Sequence, residues 1–505
     1  MGHQLQGYVP DYVVKIMDVI AKEGIEPYVV GGAVRDMLRG EEPHDYDLAS
    51  ALRPDELIDV LQRNRIGVVP ALGNNFGVVV AVVDGNSLEI ATFRSDKYDG
   101  SGKHQPDEVV FCTDIKEDLS RRDFTVNALA MGRDGIIVDP YCGQEDLNRK
   151  LLRPVGEAER RYREDPLRMY RACRFLGQLG FSYSEDGVHT SDMFCNNKKF
   201  WQECNAQNVS RDRVRSEMEK LLLSQNVRNG LHLFMSSGLA EAPCTIKKDG
   251  ENRLVYPFKD LVHLDKLEQN TEHHVFDAWE HTMYATHYAP KGLVSRYAAL
   301  FHDVGKGLPG IRAMKENGQP SDHRHEKKSV EIMEKVLIDD LGYQRNIAKK
   351  SIWLVKNHMD FTQLLDANQK HIERYVRKKA QGFRNKKEYV CALTLLDAMF
   401  RADMKATGMF ARENYRNKIL PKMEYALQYA EERMVLHSHD LAIPGSDVVD
   451  ILNRNDAQDI DRKQLYQVLL EKVQLGQVAN ERQALVESVE KYVKRQKEKQ
   501  IVVER

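Results

Sequence analysis

Apolar residues recur at helical spacing over residues 11–23 and predict an amphipathic helix. The period then changes: "PYVVGGAVRDMLRG" reads as a short apolar strand, a Gly-Gly turn and a helix ending near Gly40. "GVVVAVVDG", "SLEIATFR" and later "GIIVDP" are β-branched runs bounded by turn residues, so the region to about residue 150 predicts a small sheet with helices. Beyond residue 163 the strand signal nearly disappears. "PLRMYRACRFLGQLG" and "RVRSEMEKLLLSQNVRNGLHLFMSSG" carry helical spacing closed by glycine, so an all-helical remainder is expected. Gly305 to Gly318 breaks the helical period and reads as a mobile loop, and the chain closes on a charged helix ending "EKYVKRQKEKQ".

At 505 residues the chain exceeds one core, and three or more domains are expected. Seven cysteines, at 112, 142, 173, 195, 204, 244 and 391, show no close pairing, which argues against a disulfide framework or a thiolate zinc site and for a reducing, cytoplasmic setting. No secretory leader or long apolar run is read, so no membrane partner is expected. Net charge is −2 with 30% charged residues, so a nucleic-acid surface must be a local basic patch.

In "HDYDLAS", Asp45 and Asp47 stand two apart and share a face if the segment is extended. Such a pair suits magnesium, which takes carboxylate oxygens, and Glu89 in "SLEIATFR" is the candidate third carboxylate on a neighbouring strand. Taken alone, an Asp-x-Asp is most often a pair of solvated turn carboxylates. Gly31 and Gly32 let backbone approach phosphate closely at a helix start, with Arg35 one turn on, although a plain strand-to-helix turn reads the same way.

Together, "VVGGAVRDMLRG" and "HDYDLA" resemble the signature of the nucleotidyltransferase superfamily shared by class II CCA-adding enzymes and bacterial poly(A) polymerases. "EDLSRRDFTVNALAM" resembles that family's ribose-binding motif, implying that Arg122, Asp123 and Asn127 hold the nucleotide sugar and triphosphate, along with Gly32 and Arg35. Without the resemblance, Arg121, Arg122 and Asp123 read as a surface ion-pair cluster. "FRSDKYDGSGKHQPDEVVF" resembles the flexible loop of members that add the terminal A, and "GNNFGVV" looks like CCA-adding members.

"EDPLRMYRACRF" sets Asp165, Arg168 and Arg171 three apart on one helical face. Glu164, Asp165 and Arg168 match the family's nucleotide-selecting Glu-Asp-x-x-Arg pattern. An Asp acceptor suits the exocyclic amino group of cytosine or adenine and an Arg donor suits the neighbouring ring acceptors; uracil and guanine invert the pattern. The competing reading makes Asp165 an N-cap before Pro166, and Arg171 and Arg174 braces of the helices. By resemblance, Asp139, Gly143 and Asp146 form the hinge between head and neck.

Farther on stand His281, His302 with Asp303, His325 and His358, an imidazole and carboxylate set suited to one or two divalent transition metals. The run with "HDVGKG" resembles HD-domain phosphohydrolases, often completed by a distal Asp such as Asp403, with Lys306 available to a substrate phosphate. A domain retained for folding, dimerisation or RNA contact reads equally well from the residues.

The fold class expected is multidomain, α/β followed by all-α: a polymerase-β-like head at 1–153, a helical nucleotide-selecting neck at 154–255, an HD domain at 256–405 and a helical, tRNA-contacting tail at 406–505. The function implied is template-independent addition of C, C and A to the tRNA 3′ end from CTP and ATP with Mg2+, with a further divalent metal in the HD domain. The alternatives are a poly(A) polymerase or an enzyme adding only A, and an HD phosphohydrolase whose head only binds tRNA.

Overall fold

The computed structural model describes residues 6–69, 77–97, 108–182, 209–408, 412–413 and 415–503. Cys195 and Cys204, most of "GNNFGVV" and the centre of the 93–111 loop lie outside these.

The N-terminal unit is built on nine strands: β1 (Tyr28–Val30), β2 (Asp47–Ser50), β3 (Gly67–Val69), β4 (Val78–Val83), β5 (Asn86–Thr92), β6 (Arg94–Lys97), β7 (Glu108–Phe111), β8 (Ala130–Met131) and β9 (Ile137–Val138). Seven of them form one mixed sheet in the order β3-β4-β5-β2-β1-β8-β9, while β6 and β7 pair separately. β2 and β5 run parallel and set Asp47 opposite Glu89; β1 pairs antiparallel with β2, Val30 against Asp47. The helices Asp11–Ala21, Gly32–Leu38 and Pro54–Arg63 cover the sheet, burying Ile16, Ile20, Val34 and Leu57 against Val29, Leu48 and Ile90. Removing these side chains from water drives the packing, at about 1.5–3 kcal/mol for each fully buried one.

Most of the buried apolar residues from Phe124 to Leu436 form one continuous cluster, and another, Val435 to Val493, organises the C-terminal helices. Leu167–Leu179, Arg211–Leu222 and Val227–Ser236 pack together, followed by Ala278–Tyr288, Leu293–Phe301, His325–Glu334, Arg345–Asn357, Gln369–Ala380 and Lys386–Ala406. Among the described residues no helix is long and apolar enough to cross a membrane, and the five described cysteines are free thiols.

Three details depart from the sequence reading. The helical half contains two hairpins, Cys244–Lys248 with Glu251–Val255 and Arg312–Met314 with Pro320–Asp322. Their strands are short, and a three- to five-residue run carries too little period to register. The segment around Gly305 to Gly318 is no structureless loop: Asp322 accepts from the Gly307 N–H at 2.8 Å and pairs with Arg312 through both oxygens, closing the second hairpin. The apolar run at 213–238 is two helices, broken after Leu222, because Asn226 leaves the helix to donate its backbone N–H to the Gly177 carbonyl.

Candidate functional site

Gly31 has φ +72°, and a Cβ there would stand 2.8 Å from Arg122 Nη1. Only glycine turns the chain from β1 into the Gly32 helix while leaving room for that guanidinium. Arg35, on this helix, donates to Asn127 Oδ1 at 2.7 Å and pairs with Asp36. Arg121 and Arg122 are both held by Asp118, whose side chain is fully buried. Burial opposes its charge, but the two guanidiniums outweigh it and keep its carboxyl below the ordinary range. The sequence reading missed Asp118; its spacing three and four residues ahead of the arginines was the available signal.

Asp123 is committed to the protein. Its Oδ1 accepts from the Phe124 backbone N–H at 2.8 Å and from Asn127 Nδ2 at 3.1 Å, and its Oδ2 accepts from Arg171 Nε and Nη2 at 2.8 and 2.5 Å. Burial pushes its pKa up, but Arg171, Asn127 and Arg168 bring it down to about 2. Direct acceptance from a ribose hydroxyl, the sequence expectation, competes with these donors. Asp123 orients Asn127 and pairs with Arg171, which itself lines the cleft described below.

Asp165 takes the capping role foreseen for it and a partner that was not foreseen. One oxygen accepts from the Leu167 backbone N–H at 3.2 Å, as at a helix start, and the other from Arg213 Nη2 at 3.0 Å. Arg168 is 8% exposed. It donates to Glu164, to the Arg161 carbonyl and to the Arg121 carbonyl, at 2.9, 3.2 and 2.9 Å. Among the described residues these leave its Nε–H and one Nη2–H unused. Arg174 pairs with buried Glu217 and lies over the Phe175 ring at 3.9 Å.

All these elements meet in one cleft of about 530 Å³, lined by Gly31, Gly32, Arg35, Asp47, Arg121, Arg122, Asp123, Asn127, Asp165, Arg168, Arg171 and Arg213, among others. Two buried donors within it, Arg122 Nε and Arg213 Nη1, have no protein acceptor among the described residues. Buried cationic donors of this kind call for anionic oxygens.

At the cleft's edge Asp47 faces Glu89 across the β2–β5 pair. Burial, then Glu89 and Asp45, raise the Asp47 pKa, while Arg122 opposes them. Two carboxylates acting on a third make a hard-oxygen donor set whose mutual repulsion a divalent cation relieves. Their oxygens are not all drawn within 4.8 Å of one another, unlike those of the histidine cluster.

In the helical part, two ligand sets converge: His281, His302 and Asp403, and Asp303, His325 and His358. Asp303 connects them, one oxygen 3.2 Å from His302 Nε2 and the other 3.0 Å from His325 Nε2. Nδ1 of His302, His325 and His358 sits 2.7–2.9 Å from the carbonyls of Ala299, Asp322 and Val355. A carbonyl only accepts, so these Nδ1 atoms carry the hydrogens and the Nε2 lone pairs point inward. His325 and His358 then bring two lone pairs to 3.2 Å, an arrangement that needs positive charge between them. The donor set therefore fits divalent metal. With no cation between them, burial opposes charge on His302 but Asp303 and Asp403 outweigh it and raise its pKa to about 10, so a metal ligated by Nε2 takes the place of that proton. Burial and the neighbouring imidazoles lower His358 to about 3. Lys306, which lines the adjoining cleft, has its Nζ 2.7 Å from Asp303 and 2.8 Å from Gln269, leaving one N–H of the ammonium beyond these two partners. His274, not singled out from sequence, stacks edge-on against His281 at 5.0 Å and lines the adjoining cleft of about 450 Å³.

Residues 27–153 match the poly A polymerase head domain, residues 271–397 the HD domain, and residues 204–243 a probable RNA and SrmB-binding site of polymerase A. Asp403 lies beyond the HD match. The CCA-adding enzyme of Geobacillus thermodenitrificans (strain NG80-2) is 40% identical over 236 residues, 47% of this chain and 55% of that protein. That of Geobacillus stearothermophilus is 37% identical over 245 residues, 48% of this chain and 57% of that protein. The chain thus matches little more than half the length of these curated relatives. Among solved structures, the Bacillus stearothermophilus CCA-adding enzyme in complex with CTP aligns with TM-score 0.57 at 22% identity, covering 97% of this chain and 98% of that one. The Thermotoga maritima CCA-adding enzyme complexed with tRNA aligns with TM-score 0.56 at 16% identity, covering 96% and 97%. The likeness extends over the whole architecture, and at these identities it is one of fold.

Proposed function

We propose that this chain, which carries a poly A polymerase head domain and an HD domain, is a CCA-adding nucleotidyltransferase that completes tRNA 3′ ends from CTP and ATP. One observation carries the reading: Gly32, Arg35, Arg122, Asp123, Asn127, Asp165, Arg168 and Arg171 line a single cleft together with Asp47. In the reaction, the RNA 3′-hydroxyl attacks the α-phosphate, a new P–O bond forms, and the bond to pyrophosphate breaks. Bound magnesium supplies Lewis-acid stabilisation of the transferring phosphoryl group, with Asp45, Asp47 and Glu89 as the oxygens that would hold it.

The remaining roles fall to the chain's own cations and dipoles. Arg122, fixed by Asp118, and Arg35, fixed by Asp36 and Asn127, pair with triphosphate oxygens at the helix start. Asp165 keeps acceptor capacity beside its two protein donors, and takes the amino group of cytosine or adenine. Arg168, locked in plane by Glu164 and two carbonyls, offers its remaining N–H groups to the base. Each mispairing in such a site costs about 1–3 kcal/mol, so two contacts discriminate on the order of a hundredfold.

The test supplies tRNA lacking one, two or three terminal nucleotides with each NTP separately. Ordered use of CTP, CTP and ATP is expected, whereas use of ATP alone would identify a poly(A) polymerase or an A-adding enzyme. Asp45→Ala with Asp47→Ala should abolish incorporation, and Arg168→Ala should reduce CTP-over-UTP preference about tenfold or more. Unchanged selectivity in the latter would remove Arg168 from base recognition.

The converging imidazoles favour a second activity. His281, His302, Asp303, His325, His358 and Asp403 would hold two divalent transition metals that polarise a phosphate ester for hydrolysis. Phosphate monoesters and 2′,3′-cyclic phosphates at RNA ends are the substrate class. Release of inorganic phosphate or opening of a cyclic phosphate, dependent on added metal and lost in His302→Ala, tests it.

A further inference from the structure

A groove of about 1010 Å³ lies between the N-terminal part of Arg345–Asn357, the turn at 381–385 and the N-terminal part of Lys386–Ala406. At about 1.5 Å per residue, Lys350 stands roughly 12 Å along its helix from His358, and Lys387 roughly 24 Å from Asp403. The groove is therefore separate from the histidine cluster, at the opposite ends of the same helices.

Its walls carry Arg345, Lys349, Lys350, Arg384 and Lys387, all exposed and none in an ion pair among the described residues. Against these five cations stands one carboxylate, Glu388, which accepts from the Arg384 backbone N–H. In a chain of net charge −2 this is a marked local excess of positive charge. Two helix N-termini, of 13 and 21 residues, open on the same space and add positive potential. Between the cations lie Trp353 and Phe383, half-buried and edge-to-face at 5.4 Å. Cations flanking an aromatic wall are the composition that holds nucleic acid, phosphates on the charges and bases or sugars on the rings. The groove is also nearly twice the volume of the 530 Å³ nucleotide cleft, more than one nucleotide fills.

We propose that this groove is a second RNA-contact surface that seats the phosphodiester backbone of the RNA extended in the nucleotide cleft. The inference rests on the functional reading above in taking that RNA to be tRNA. Contacts of this kind release counterions, so each phosphate engaged contributes about 0.7–0.9 to the slope of log affinity against log salt concentration.

The experiment compares tRNA binding by the full chain with that by the triple variant Lys349→Gln, Lys350→Gln, Arg384→Gln over a salt series. The slope should fall by about 2 to 3 and affinity near 0.1 M salt by on the order of tenfold or more, with kcat for CTP at saturating tRNA unchanged. Cys391 is exposed within the groove, so tRNA should also slow its modification by N-ethylmaleimide, while ATP should not. An unchanged slope with unchanged affinity overturns the proposal. So does equal protection by ATP, which would make the groove a nucleotide site. A wild-type chain that binds tRNA with a groove-dependent slope yet adds no nucleotide would sink the functional reading and leave the groove standing.

Discussion

Asp123 accepts from four N–H groups of three residues, and two of those groups belong to a helix of the adjoining neck. A carboxylate so placed contributes to stability through its own titration. Its folded pKa of about 2 lies below the ordinary aspartate value of 3.8, so its contribution is complete above pH 3.8 and is lost as pH falls toward 2. The shift corresponds to about 2 kcal/mol, and Asp123→Asn should remove this pH dependence of the head's unfolding midpoint while lowering it at neutral pH. Urea titrations between pH 3 and 7 measure it; parallel wild-type and variant curves would show that Asp123 is not the linked group. Asp118 belongs to the same scale. It does not line the cleft, yet it holds two arginines there, a role that only its burial beside them revealed.

The helices of the neck owe their closeness to glycine. A Cβ on Gly230 would lie 2.2 Å from the Cys173 carbonyl oxygen, a rigid backbone atom that cannot yield. Gly230→Ala must therefore push Val227–Ser236 away from Leu167–Leu179, the helix that carries Arg168 and Arg171. A loss of about 1–3 kcal/mol is expected, measured as a lowered thermal midpoint, together with a raised KM for CTP as the cleft loses its shape. A variant with unchanged midpoint would mean that the two helices are not so tightly set. The strand pair β2–β5 makes the corresponding point for the head: parallel register, not sequence distance, puts Glu89 opposite Asp47.

At the scale of the molecule, the arginine-lined cleft and the cleft at the histidine cluster share no lining residue, although one continuous apolar core runs from Phe124 to Leu436. The two centres should consequently be separable. His302→Ala with Asp303→Ala should lower the divalent metal bound per chain, measured by elemental analysis after gel filtration, and leave CTP incorporation within about twofold, as expected for sites with no shared partners. Loss of incorporation in a folded double variant would show that the centres are coupled. The interface joining neck to histidine domain includes Arg215 donating to the Leu341 carbonyl at 2.8 Å and Tyr343 donating to Glu219 at 2.7 Å.

Much of this was legible in the sequence because it depends on local pattern. The β1 turn and helix follow from apolar period and the Gly-Gly pair, and the residue types and spacings of Asp45, Asp47, Arg168 and the histidines declare charge, donor or ligand chemistry by themselves. What those residues are paired with was settled only by tertiary packing. Asp123 looked available to a ribose, but Arg171, 48 residues away, donates twice to one of its oxygens. Lys306 carried no sign in the linear sequence of its pairing with Asp303 and Gln269. The basic groove draws its two walls from segments over thirty residues apart, each an ordinary charged helix in the linear chain. Local propensity and residue chemistry are properties of short stretches, whereas the engagement of a buried polar group depends on whichever partners three-dimensional packing brings within about 3 Å.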